Sequence, residues 1–141
     1  MGKRLIIKGA NFSMNAIENA GPVPTRNNLL ENLTFQRKTV GSTGGGAIFE
    51  DSTTRIATNF MLNGITQVDV KIADGYKFAL SFTNSSDVWV SPQPTPWRDA
   101  DQTLNANGAT KIWLAIAKED NSTIELSDRD KCKIYDHNDG Q

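Results

Sequence analysis

Val68, Val70 and Ile72 alternate with Asp69 and Lys71, and Tyr76, Phe78, Leu80 and Phe82 alternate with Lys77, Ala79 and Ser81. A period of two puts each set of side chains on one face of a strand, so each run has an apolar face for a core and a more polar face outward. A further strand-like run starts at Arg55, and the three runs are separated by Asn63-Gly64 and Asp74-Gly75. Asn-Gly and Asp-Gly supply the positive φ angles that tight hairpin turns need. The pattern therefore predicts a three-stranded antiparallel meander over Arg55 to Phe82.

The same reading extends along the chain. Leu5-Ile6-Ile7, flanked by Lys3, Arg4 and Lys8, predicts a short first strand, and Phe12, Ala16 and Ala20 are spaced for about two helical turns. Gly21-Pro22-Val23-Pro24 is an extended connector, because proline removes a donor and restricts its neighbour. A strand is expected around Leu33, Phe35 and Arg37, followed by a flexible turn or loop at Ser42-Thr43-Gly44-Gly45-Gly46. Val88-Trp89-Val90 reads as a short strand before a proline-stiffened loop, Ser91-Pro92-Gln93-Pro94-Thr95-Pro96-Trp97. After Asn107-Gly108, Lys111 to Lys118 carries Ile112, Leu114 and Ile116 on one face and Trp113, Ala115 and Ala117 on the other. Thr123 to Leu126 and Lys131 to Tyr135 complete the set. Short strands at this spacing predict an all-β, antiparallel β-sandwich of jelly-roll or immunoglobulin-like type over residues 27–141, with a closed barrel as the alternative. Residues 1–26 are then an N-terminal strand and helix extension with its connector, an attachment segment whose interface residues are Leu5, Ile6, Ile7 and Phe12.

Composition narrows the partners. The 141 residues suit one domain. A net charge of −1 gives no field to attract nucleic acid or an anionic membrane, and neither is expected as a partner. The apolar run at the start is too short for the core of a signal peptide. One cysteine, Cys132, excludes an internal disulfide.

Catalytic chemistry finds little support in these residues. His137, the single histidine, lies in the polar run Asp136-His137-Asn138-Asp139, where a loose tail would hold no base in place. Lys131 and Lys133 would favour a thiolate at Cys132, but no second cysteine or placed histidine accompanies it. Asp128, Asp130, Asp136 and Asp139 do not follow a calcium-loop spacing. Gly44-Gly45-Gly46 lacks the continuation of a phosphate loop. Glu50, Asp51, Asp99 and Asp101 have no spacing that predicts a glycosidase pair. No catalytic residue, metal or cofactor is assigned. Trp97, on its proline-stiffened mount and followed by Arg98, Asp99 and Asp101, is the best ligand-binding candidate. An indole face packs against a sugar ring while charged groups pair with its hydroxyls, so these four residues predict a carbohydrate-binding module that adheres to surface glycans.

Lys8-Gly9-Ala10-Asn11-Phe12-Ser13-Met14-Asn15-Ala16-Ile17, directly after the first strand, resembles the start of virion appendage and capsid-decoration proteins of tailed, crAss-like bacteriophages. Arg55, the stretch Ile72-Ala73-Asp74-Gly75-Tyr76-Lys77-Phe78, and Ile112-Trp113-Leu114-Ala115-Ile116-Ala117-Lys118 with Ile124 resemble a β-sandwich module of such proteins. The resemblance implies a non-enzymatic virion structural protein: a capsid decoration, head fibre or tail appendage component, assembled in the host cytoplasm. Its partners would be other virion proteins and further copies of itself, with a trimer as the expected state.

Overall fold

The computed structural model describes residues 26–90 and 96–139; Leu5, Ile6, Ile7, Phe12, the expected first strand and helix, and the Gly-Pro connector lie outside these residues. The chain is mostly β, with eight strands and one short 3-10 helix among the described residues. In order they are β1 (Lys38–Thr43), β2 (Gly46–Asp51), β3 (Arg55–Met61), β4 (Gln67–Ile72), β5 (Tyr76–Thr83), β6 (Gln102–Asn105), β7 (Lys111–Lys118), the 3-10 turn Leu126–Lys131, and β8 (Cys132–Asp136). They make three antiparallel sheets: sheet A in the order β3-β7-β5, sheet B in the order β6-β4-β8, and the hairpin β1-β2. No helix among the described residues is long and apolar enough to cross a membrane.

The expected meander is not formed. Its three strands are present, but β3 and β5 both pair with β7, and β4 belongs to the other sheet. The turns explain part of this. At Asp74-Gly75 only Gly75 has a positive φ, of 85°, and Tyr76 N–H bonds to Ala73 O, the pattern of a type II turn that splays its strands. At Asn63-Gly64 both residues have positive φ, as a hairpin turn requires, yet the flanking groups are taken elsewhere. Leu62 N–H donates to Thr110 O, and Ala106 N–H donates to Thr66 O. The Asn63-Gly64 and Asn107-Gly108 turns thus lie side by side, each carrying the chain from one sheet to the other.

The hairpin forms instead at the triglycine, where Thr43 and Gly46 close a two-residue turn on Gly44-Gly45. The strand expected around Leu33 to Arg37 starts later, at Lys38, because residues 29–32 turn to bury Leu30 and Phe35. Arg129 holds that turn by donating to the carbonyls of Leu30, Leu33 and Glu31, with its guanidinium 4.8 Å from the Phe35 ring. Thr123 to Leu126 is not a strand: Ile124 alone is buried, and the chain passes into the 3-10 turn, where Glu125 N–H donates to Asp128. β6, with Leu104 as its one apolar residue, carries no alternation that would announce it.

Ile56, Phe78, Leu80, Ile112, Leu114 and Ile116 of sheet A share one buried cluster with Val68, Val70, Cys132 and Ile134 of sheet B. β7 is buried on both faces, since the hairpin covers the side opposite this core. Arg26, which the sequence reading places in the connector, is tied to sheet B through Asp69 at 2.9 Å and the Asp136 carbonyl at 2.7 Å.

Candidate functional site

Residues paired across strands project from the same face of a sheet. The register of sheet A sets four rows on the face away from the core, and three of them frame the site: Arg55–Ala117–Lys77, Ala57–Ala115–Ala79, and Asn59–Trp113–Ser81. The middle row is all alanine. Taller rows stand on either side of it, so the surface is grooved, and the hairpin lies over the groove with Phe49 against Trp113, ring centroids 4.7 Å apart. A cleft of about 370 Å³ remains, floored by Ala79 and Ala115 and walled by Thr39 to Ser42 of the hairpin, Arg55, Ser81, Trp89 and Trp97.

The two tryptophans enter from the free edge of β5. At one end Trp89 bridges to Thr83, and its indole N–H donates to Ser42 Oγ at 3.0 Å. At the other, Arg98 and Phe78 exchange backbone hydrogen bonds of 2.8 and 2.9 Å. Phe78 faces the core, so its partner Arg98 faces that way too, and the preceding Trp97 turns outward to the cleft. Its ring centroid lies 4.9 Å from the Arg55 guanidinium carbon and 5.5 Å from Lys77 Nζ. Cations at an indole face stabilise its position by about 0.5–1 kcal/mol each where exposed. Arg55 Nη1 also donates to Thr39 Oγ1 at 3.2 Å, linking the sheet to the hairpin across the cleft.

Of the four residues predicted to bind together, Trp97 lines the cleft. Arg98 Nη1 instead donates to Gln102 Oε1 at 3.4 Å. Asp101 accepts the Ile72 N–H at 3.0 Å and stands 3.6 Å from Lys71. Asp99 is exposed. Arg98 points away from Trp97 because neighbours on an extended chain point oppositely. Trp89, Arg55, Thr39, Ser42 and Ser81 were not among the ligand-binding residues expected from the sequence. The alternating small residues Ala115 and Ala117 opposite the apolar face of β7 are the signal in the sequence that another layer approaches closely there.

The other candidate groups are built into the scaffold. His137 is not in a loose tail: its Nδ1 is 2.8 Å from Asp69, and its N–H donates to Gln67 O. Burial alone would raise the Asp69 carboxyl, but hydrogen bonds from Thr103, His137 and Arg26 together outweigh it and hold the group at about 2. Cys132 is buried, and burial pushes its thiol up to about 12 against the opposing pull of Lys133. Asp128 accepts from Tyr76 Oη at 2.9 Å, and Asp139 accepts from Asn27 N–H at 3.1 Å. Among the described residues no three His, Cys, Asp or Glu side chains are gathered to hold a metal ion.

No protein-family model matches this chain, and neither a curated protein nor a solved structure matches it.

Proposed function

We propose that the protein is a non-enzymatic structural component of a tailed-phage virion and that it uses the cleft over sheet A to adhere to surface glycans. The observation that carries the sugar reading is the cleft itself: two indoles stand beside the hydroxyl-bearing residues Thr39, Ser42 and Ser81, above a floor of alanines. An apolar ring face with hydrogen-bonding edges is the shape of a pyranose, and an open, largely preformed cleft lets it dock without rearrangement. Trp97 keeps the role first assigned to it; Trp89 and Arg55 take the places that Arg98, Asp99 and Asp101 were expected to fill.

The architecture we favour is a β-sandwich of jelly-roll or immunoglobulin-like type. It is supported by the shared apolar cluster of sheets A and B and by the paired turns that cross between them. The virion assignment rests on the resemblance of residues 8–17 and of the later strand segments to phage appendage proteins. In this role the chain assembles with other virion proteins and as a homo-oligomer, with a trimer as the expected state, and residues 1–26 are the attachment segment.

A glycan array with wild type, Trp97→Ala and Trp89→Ala tests the cleft, and unchanged binding in both variants removes it as the site. Sizing of the purified chain and electron microscopy of phage particles test the assembly. A monomer absent from every particle counts against a virion role. Deleting residues 1–20 is expected to leave a soluble, cooperatively melting β protein that no longer assembles; outright unfolding would make that segment part of the core.

A further inference from the structure

We infer that the sugar held by this cleft carries a carboxylate, and that Arg55 receives it. The inference rests on the sugar-binding reading and names its ligand class. The cleft is lined by one cation and no acid: Arg55 stands in its wall, and Lys77 adds a second positive charge at the Trp97 ring. Elsewhere the basic side chains Arg26, Arg37, Lys38, Lys71 and Lys111 each have a carboxylate partner. Among the described residues Arg55 and Lys77 have none; Arg98, Lys118, Arg129, Lys131 and Lys133 also lack one, but Arg55 is the basic residue that lines the cleft.

The hydrogen bonding of Arg55 is also incomplete. Nη1 donates to Thr39 Oγ1, whereas Nε is enclosed and meets no acceptor. Arg26 and Arg98 share an unpartnered Nε, but Arg26 is neutralised by Asp69 at 2.9 Å and Arg98 does not line the cleft. At Arg55 the uncompensated charge and the cavity coincide. A guanidinium is a planar fork that matches the two oxygens of a carboxylate, so an acidic sugar meeting the outer edge of Arg55 would compensate its charge. A neutral sugar would leave the charge uncompensated. Trp89 and Trp97 supply the ring contacts, and the hairpin hydroxyls of Thr39 and Ser42 face the ring's own hydroxyls across a space at the small end of the range for ligand sites.

The test is calorimetric titration of the full chain with methyl glucuronoside, with the methyl ester of the same compound, and with sialyllactose and its ester. Esterification removes the charge and keeps the ring, so no variant is needed for the first comparison. The acid is expected to bind about tenfold or more tightly than its ester, the scale of a hydrogen-bonded charge pair. Rising salt should narrow the difference. Arg55→Gln, checked for an unchanged β spectrum, should abolish the preference. Comparing the two acids tells whether a uronic or a sialic acid supplies the carboxylate, and a preference for either acid supports the inference. Equal binding of acids and esters overturns it and leaves the sugar reading standing. An acid preference that persists in Arg55→Gln overturns the assignment to Arg55. Failure of every sugar to bind overturns both.

Discussion

The Trp113 indole N–H donates to the Thr83 hydroxyl at 3.2 Å, across adjacent strands of sheet A and under the cover of the hairpin. Thr83 is fully buried, so no water is available to take its place. Thr83→Val keeps the shape and removes the acceptor. We expect a loss of about 1–3 kcal/mol in urea unfolding, the cost of one buried unsatisfied donor. Equal midpoints and slopes for the two proteins would show that the bond contributes nothing.

Gly46 is where the hairpin tip meets the loop that carries Trp89. A β-carbon there would lie 2.8 Å from the Asp87 carbonyl oxygen, which is backbone and cannot swing aside. Ala47 N–H donates to that same oxygen at 2.8 Å. Gly46→Ala should therefore push the hairpin away from the loop, at about 1–3 kcal/mol, and weaken the glycan binding proposed for the cleft. Gly41→Ala is the control. The atoms nearest its new β-carbon are those of the flexible Glu50 carboxylate, and thermal melts of the two variants should show a smaller loss of stability for Gly41→Ala.

Asp69 joins Arg26, Thr103 and His137. Its folded value of about 2 lies below the ordinary 3.8, so its contribution is complete above roughly pH 4 and is lost as the pH falls toward 2. Asp69→Asn should cost about 1–2 kcal/mol near neutral pH, and the gap to wild type should close as both are acidified. Denaturant titrations at a series of pH values measure this. A gap that stays constant into acid would mean the carboxylate's charge is not what matters.

Cys132, buried with its thiol pushed up to about 12, is almost wholly protonated at neutral pH. Only the thiolate attacks alkylating reagents. Iodoacetamide should leave the native protein unmodified and label it completely in denaturant, so that slow labelling reports opening of β8. Prompt modification of the native chain would contradict the burial.

The strands were more legible than their partners. Alternation marked β4, β5 and β7 because each has an apolar face turned to one core. It was silent on β6, a short strand with one apolar residue, and it overstated Thr123 to Leu126, where Ile124 is a lone anchor. Turn chemistry located Asn63-Gly64, Asp74-Gly75 and Asn107-Gly108, but a turn fixes only its own four residues. Which strands then pair was settled by groups far away, such as Thr110 O, which accepts from Leu62. The site was legible at Trp97, whose proline-rich approach set it apart. Arg98 was drawn in by adjacency, although alternation sends it to the other face. Trp89 gave no signal between two valines, and Arg55 gained its place through a register that no local pattern contains.

The side-by-side crossing turns also dictate when this chain is able to fold as it is made. β3 and β5 never touch each other in sheet A; both wait for β7, so residue 55 finds its partner only when residue 117 has been synthesised. Until then two strands with unmet backbone donors stand open, and the closing loop is long, which slows formation and leaves edges free to pair with other chains. The hairpin on Gly44-Gly45 is the exception, since its two strands are adjacent in the chain. A nascent chain therefore holds its lid before it has the sheet the lid covers, and a chain that stops short of Lys111 has neither sheet A nor a cleft.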